Sequence, residues 1–490
     1  MGLGLALNSA RTSLLATSTQ IAIAARNTAG ASDPFYTRKI ANLVAAGGGS
    51  AVSIQRATDT ALFDRKLAGT SSVAASEAVL DGLTTLQGTI GDTSDDTSPA
   101  ARLGALNAAL QLAANKPDDA ALARTAVDRA RELASSLNAG ATTVQTVRTQ
   151  ADAGLADSVS RINDLLSQFE AANRIVTSGT GAGADVTDAL DDRDRILAGL
   201  SQEIGISTVV RSGNDVAIYT DSGVPLFERT ARRVTFAPTG AFTAGTTGAS
   251  VMVDGVPVTG ADSPMPVRSG RIAGLSELRD GVAVRYESQL DGIANGLIDA
   301  FAETGTDTLG NTIRAAGLFT AGTGAPVPNG TTSAQGGLAA KIRVNASVDP
   351  QQGGDASLLR DGGIAGTAYR ANPSPTTNTA FPDRLRALAS ALAADRPFDP
   401  SSDLASRTNL QDFATASTSW LSAKRQAATT ESTYQSTLLA RASDAYSNAT
   451  GVNTDDETAT TLELERSYTA SAKLLTVVND LLKTLMDAVR

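Results

Sequence analysis

The sequence predicts a mainly α-helical, elongated, multidomain protein with one inserted β domain and terminal helices that pair as a coiled coil. Three observations predict it. Both ends carry stripes of mostly apolar residues in steps of four and three, the spacing that keeps one seam of a helix against a partner helix. The first stripe is Leu3, Leu7, Ala10, Leu14, Thr17, Ile21 and Ala24; the last is Leu464, Tyr468, Ala472, Leu475, Val478, Leu482, Leu485 and Val489. Between them the pattern is helical, except from Ile206 to Arg268, where short β-prone runs alternate with turn residues. Residues 1–45 and 450–490 are therefore expected to form one terminal coiled-coil domain. Residues 46–205 and 269–449 are expected to form a helical-bundle middle domain with some irregular segments, and 206–268 an inserted outer β domain. In this nested order the β insertion is expected to lie furthest from the termini and to be removable.

Each element has its local signal. After the first helix, Asn27 to Tyr36 reads as a loop, with Gly30 and Pro34 in it. β-like runs follow at Lys39–Val44 and Ala51–Gln55, broken by Gly47, Gly48 and Gly49. From Ala57 to Val176 the chain reads as helix. Ser98-Pro99 and Pro117-Asp118 mark starts, because Pro suits the first turn and Ser or Asp satisfies free amides there. Ala120 to Phe169 is long and regular, although Gly140 and Gly154 each weaken it by roughly 1 kcal/mol relative to Ala. Strands are predicted at Thr208–Arg211, Val216–Thr220, Val234–Ala237 and Ser250–Val253, with Asp254-Gly255 as a two-residue hairpin turn. Helix returns over Leu275–Glu303, Gly305–Gly337 reads as loop, and helices resume at Pro382–Ala394 and Leu404–Asn448. No repeat of fixed period is evident.

Composition excludes several function classes. The 490 residues contain no Cys and no His, so there is no disulfide framework, thiolate nucleophile, imidazole base or imidazole metal ligand. None of the seven lysines completes a Ser-x-x-Lys pair, a nucleophile motif that needs no His. The formal net charge of −10 argues against a general nucleic-acid or anionic-membrane partner. No apolar run approaches the ~20 residues of a membrane span. The first residues lack a basic segment, and Asn8, Ser9 and Arg11 interrupt their apolar run, so no cleaved signal peptide is expected.

Other charged and glycine-rich clusters have bland readings. Asp191 to Arg195 reads as a solvated helix face with local ion pairs rather than a metal or phosphate site. Asp95-Asp96 and Asp455-Asp456-Glu457 read as helix starts. Gly179 to Gly183 follows a helix rather than a strand, so it reads as a linker and not a phosphate loop. Trp420 reads as bundle packing. No catalytic, cofactor-binding or metal-ligating residue is predicted.

A resemblance rests on several short motifs together. Asn27 is followed by Tyr36-Thr37-Arg38, and the last helix is preceded by Gly451-Val452-Asn453. Leu190-Asp191-Asp192-Arg193-Asp194-Arg195-Ile196-Leu197 leads to Ile204-Gly205-Ile206, and Ser269-Gly270-Arg271-Ile272-Ala273-Gly274-Leu275 marks the return to helix. In this combination the chain resembles the axial proteins of the bacterial flagellum, the rod, hook and hook-associated proteins. It departs from them at Phe35, where they usually carry Gly, and at Glu465, near a position often occupied by Gln. Its long interior helices are similar to the hook-associated branch rather than to hook protein.

The resemblance implies a non-enzymatic, extracellular structural adaptor between hook and filament, exported by the flagellar type III route. The implied partners are further copies of itself in a tubular layer, hook protein, a second hook–filament junction protein and a cytoplasmic export chaperone. No cofactor, nucleic acid or membrane is implied. Another axial protein such as hook protein is the nearest alternative. A secreted ligand-binding protein or enzyme using the β domain is the alternative from a different class.

Overall fold

A computed structural model describes residues 2–46, 49–91, 95–322, 327–328 and 336–488. Gly47, Gly48 and Val489 of the sequence reading lie outside the described residues. The chain opens with α1 (Gly2–Gly30) and an antiparallel ribbon of β1 (Lys39–Ala46) and β2 (Gly49–Arg56), paired from Lys39↔Arg56 to Ala46↔Gly49. Three helices follow: α2 (Thr60–Ile90), α3 (Pro99–Asn115) and α4 (Ala120–Ala182). Asp59, Ser98 and Asp119 cap them by accepting from Leu62, Ala101 and Ala121 backbone N–H groups. The start of α4 is thus Asp119 rather than the Pro117-Asp118 step. The Gly179–Gly183 run is not a linker: α4 continues through it and stops where Gly183 takes a left-handed φ of 69°.

After α5 (Thr187–Glu203) come two three-stranded antiparallel sheets. One joins β3 (Ile206–Val210), β4 (Val216–Thr220) and β5 (Pro225–Phe227); the other joins β6 (Val234–Thr235), β7 (Met252–Val253) and β8 (Val256–Pro257). Asp254-Gly255 turns β7 into β8 with both residues at positive φ, as its hairpin signal requires. The return is α6 (Arg271–Ser276), one wider turn over Glu277–Val282, and α7 (Ala283–Ala300). The region read as loop from Gly305 instead holds a hairpin of β9 (Glu303–Thr306) and β10 (Thr312–Ala315). β11 (Phe319–Thr320) then pairs with β12 (Arg343–Val344). The remaining elements are α8 (Leu358–Asp361), α9 (Asp383–Ala393), the pair β13 (Arg396–Pro397) and β14 (Arg407–Thr408), α10 (Leu410–Thr450) and α11 (Thr454–Ala488).

The 63-residue α4 is the spine of the body, about 95 Å long at 1.5 Å per residue. Leu133, Leu137, Val144, Leu155, Ile162, Leu166 and Phe169 form its buried stripe. The rest of the body lies along it in sequence. Near its C-terminal end, the Asn173 amide donates to Asp215 and Phe169 packs edge-on to Phe227 with ring centroids 5.0 Å apart. Further back, the Asn163 amide donates to the Val234 carbonyl, and the Asn138 amide to the Ala339 carbonyl. Arg131 pairs with Asp349 at 2.6 Å near the opposite end. The β segment therefore lies on the half of α4 nearest the chain ends. The far end is built by α3 and the chain around Asp349, which overturns the expectation of a nested excursion. Residues 206–268 also share one continuous apolar core with the helices, through Val216, Ile218, Phe227, Val251 and Val258.

Trp420 stacks on Tyr286 at 6.2 Å, inside the helical packing as its bland reading held. Two glycines permit close helix crossings: a Cβ on Gly82 would meet Leu278 at 2.1 Å, and one on Gly274 would meet the Ala75 carbonyl at 2.2 Å.

Candidate assembly site

The two chain ends meet. α1 and α11 lie side by side and antiparallel: Ser13 Oγ and Ser471 Oγ are 3.4 Å apart, while Arg38, just past α1, pairs with Glu457 at the start of α11. The sequence stripes face this contact. On α1, Ala10, Thr17 and Ala24 are buried, and Leu7, Leu14 and Ile21 half-buried. On α11, Val478 is buried, Leu464, Ala472, Leu475 and Leu482 are half-buried, and Tyr468 sits at the exposed edge. The side chains of Leu3 and Leu485 lie outside the described residues.

Both helices also carry a second stripe with the same spacing that is exposed among the described residues. On α11 it is Ala470, Leu474, Val477 and Leu481; on α1 it is Asn8, Arg11, Leu15, Ser18, Ala22, Ala25 and Ala29, all exposed. Leu15, Leu474, Val477, Leu481 and Met486 are each more than half exposed. Burying one such Leu contributes roughly 1.5–3 kcal/mol, so this surface is energetically incomplete in the isolated chain.

The motif residues form the knot beneath the pair. Asn27, 1% exposed, closes a reciprocal bridge: its amide donates to the Lys39 carbonyl at 2.9 Å, and its carbonyl accepts from Lys39 N–H at 2.8 Å. The Tyr36 hydroxyl donates to the same Asn27 oxygen at 2.9 Å, and burial pushes its pKa up. Arg38 N–H donates to the Thr450 carbonyl at 2.8 Å. The Asn453 side chain accepts from Asp455 N–H at 3.0 Å, opening α11. Gly451 allows close passage, since a Cβ there would stand 2.5 Å from the Ser447 carbonyl; Val452 beside it is half-buried. Phe35 needs no glycine-like backbone, because the only non-glycine residues at positive φ among those described are Asn214, Asp254 and Asp403. Its ring instead lies between Lys66 at 5.0 Å and Arg195 at 5.5 Å.

The Asp191–Arg195 cluster corrects its bland reading. Asp191, Arg193 and Asp194 are buried, not solvated. Asp191 accepts from the Thr37 hydroxyl at 2.6 Å and pairs with Lys39, whose side chain is fully buried. Arg56 bridges Asp191 at 3.2 Å and Asp194 at 2.7 Å. Burial holds the Asp194 carboxyl above its usual range despite Arg56, and lowers Arg193 to about 10. Arg193 donates to the Asn214 carbonyl and thereby ties the β3–β4 turn to this knot. Glu457 likewise is buried against Arg38 rather than solvated. These contacts occupy the carboxylates with cations of the chain itself.

Comparison with known proteins follows this geometry. Residues 83–314 match the family of the flagellar hook-associated protein FlgK helical domain. Residues 444–488 match the family of the flagellar basal body rod FlgEFG protein C-terminal region. The chain thus belongs to the axial proteins of the bacterial flagellum, a structural class whose members assemble with other hook and axial proteins. Within that class, just under half of the chain is similar to the helical domain of hook-associated protein FlgK. It is 28% identical over 158 residues to flagellar hook-associated protein 1 of Escherichia coli (strain K12), a match covering 31% of this chain and 28% of that protein's length. It also aligns with the flagellar hook junction protein FlgK from Burkholderia pseudomallei at 22% identity and a TM-score of 0.42, covering 53% of this chain and 47% of that one. No described helix is long and apolar enough to cross a membrane.

Proposed function

We propose that this chain is the structural adaptor that joins the flexible hook to the filament. It assembles laterally with copies of itself through α1 and α11, docks on hook protein below, and receives the second junction protein above. Residues 1–45 and 450–490 line the inner wall of the tubular layer. Residues 46–205 and 269–449 form the surrounding body, and 206–268 its outer face. The chain travels through the type III channel, attended in the cytoplasm by an export chaperone.

The observation that carries this reading is the exposed apolar stripe of α11, Leu474, Val477 and Leu481, together with the exposed Leu15 of α1. Half of the exposed large apolar side chains among the described residues lie on α1, the ribbon or α11, which make up about a sixth of the chain. Apolar surface concentrated in this way marks a contact with another protein. It lies on helices that are already paired, so the partner meets two helices at once. Leu474→Asp and Leu475→Asp place a charge in the outer stripe and in the inner seam respectively. Each variant should reach the culture medium with its body folded by circular dichroism, while hooks carry no stable filament. Normal filaments on hooks containing either variant would overturn the reading.

A further inference from the structure

The joint between the terminal pair and the body differs in chemistry from the rest of the molecule. The main apolar core starts at Leu67, ends at Leu421 and includes none of Ala10, Ala16, Ile23, Ala24 or Val478, the buried apolar residues of the terminal pair. What crosses the joint is charge. Asp185 stands just before α5, and Asp188, Asp191 and Asp194 step by three along its start. Each step of three turns about 60° back around a helix, so the ladder winds past successive neighbours. Arg26 of α1 pairs with Asp185 at 3.1 Å and with Asp188. Lys39 of β1 pairs with Asp191 and stands 3.6 Å from Asp188. Arg56 of β2 takes Asp191 and Asp194. Arg195 pairs with Asp33 at 2.8 Å. Three elements of the terminal unit are thus held by one helix of the body.

We propose that this aspartate ladder is an ionic clasp that sets the angle between the terminal helix pair and the body, and that it opens reversibly when salt screens it. Two physical arguments support a releasable joint. Buried ion pairs gain little net free energy, because desolvation offsets most of the attraction. The more exposed pairs, Arg26 with Asp185 and Asp188 and Arg195 with Asp33, weaken with screening and the buried pairs much less, whereas an apolar seam does not weaken in that way. Opening the clasp exposes charged groups to water and leaves both apolar cores closed. The short connections at Arg56–Thr60 and Thr450–Thr454 keep the halves tethered and serve as the pivots.

The chain has no cysteine, so Ser18→Cys and Thr125→Cys, both exposed, place one dye on the terminal pair and one on the body. Single-molecule energy transfer is then read from about 10 mM to about 1 M salt, over which the screening length falls from about 30 Å to about 3 Å. One narrow population is expected at low salt, with a second growing as salt rises. Asp194→Asn should enlarge the second population at low salt at least about tenfold, because it leaves the buried Arg56 and Lys39 sharing the single carboxylate of Asp191. Asp188→Asn, whose carboxylate is mostly exposed, gives a smaller shift in the same direction and serves if Asp194→Asn does not fold. A single unchanged population in wild type and Asp188→Asn at every salt concentration, with the body's melting curve intact, would overturn the clasp. The measurement is made on monomers, so it stands or falls apart from the assembly role.

Discussion

Along α4, one side of the helix is closed over by residues with almost no exposure; along α11, Val478 is the one apolar residue fully buried among those described. Both are long helices of similar composition, and the difference lies in what covers them. The body of this chain supplies α4 with a complete partner surface from α5, both small sheets, α7 and the segment around Val344. The chain offers α11 only α1. One helix is finished by folding, and the other is finished only when something else arrives. The comparison teaches that stability and assembly are assigned to different parts of the molecule, so each can be changed without the other.

The largest effect is expected from replacing residues 207–268 with a short Gly/Ser linker. The sequence pattern presents this segment as a removable insertion. The structure packs it onto α4, so its loss uncovers Phe169 and removes Val234 and Asp215 as hydrogen-bond partners of Asn163 and Asn173. Such a chain should aggregate or lose its cooperative melt. A soluble product with an unchanged melting transition would break the distinction between a finished body and an unfinished end.

A smaller step makes the comparison quantitative. Phe169→Ala should cost about 3–5 kcal/mol in urea unfolding, as large-to-small changes in a closed core do. Leu474→Ala should change monomer stability by no more than about 0.5 kcal/mol, because its side chain is already in water. Equal losses for the two would show that the end is as closed as the body.

The smallest effect concerns charge inside the body. Glu287, buried on α7, pairs with Arg148 at 3.5 Å, and burial followed by the neighbouring Asp291 raises it from 4.5 to about 7. The folded state therefore holds its proton over a pH range in which the unfolded chain has released it. This contribution to stability is full below pH 4.5, falls as pH rises toward 7, and is flat above that. The loss amounts to about 3 kcal/mol. Glu287→Gln should remove that slope from the wild-type curve between pH 5 and 7. An identical slope in the variant would assign it to other carboxyls.

Much of the fold was legible because it follows local rules. Ser98-Pro99 starts a helix, Asp254-Gly255 makes a hairpin, and the four-three spacing of Ala10, Leu14, Thr17 and Ile21 names the seam. Tyr36, Thr37, Arg38 and Asn27 were legible as a motif, though their bonds to one another were not. The misreadings involve partners far away in sequence. Asp191 looks solvated among Asp192, Arg193 and Arg195; its burial depends on Lys39 and Arg56, more than a hundred residues earlier. One signal was available: aspartates at 185, 188, 191 and 194 repeat every three residues, a regularity that ordinary solvated faces do not need. Glu287 and Asp291 carried a similar sign, two acids on the face shared by Ala283, Leu290 and Ala294. The position of the β segment could not be read, because chain order does not reveal that α4 is long enough to bring residues 173 and 215 together beside the chain ends.

The wider turn at Glu277–Val282 has a consequence for how this sequence can evolve. A wide turn holds one residue more than an α-turn, and one residue corresponds to about 100° of rotation. Upstream, Leu275 reaches Gly154, and within the turn Leu278 reaches Gly82; downstream, Leu290, Ile293 and Leu297 are sealed inside. A one-codon deletion within the turn would restore regular helix and swing the downstream sealed face toward water, whereas most substitutions there leave the phase intact. This stretch should therefore keep its length fixed, with Leu278, Arg279 and Val282 held by burial and the exposed Glu277 free to vary.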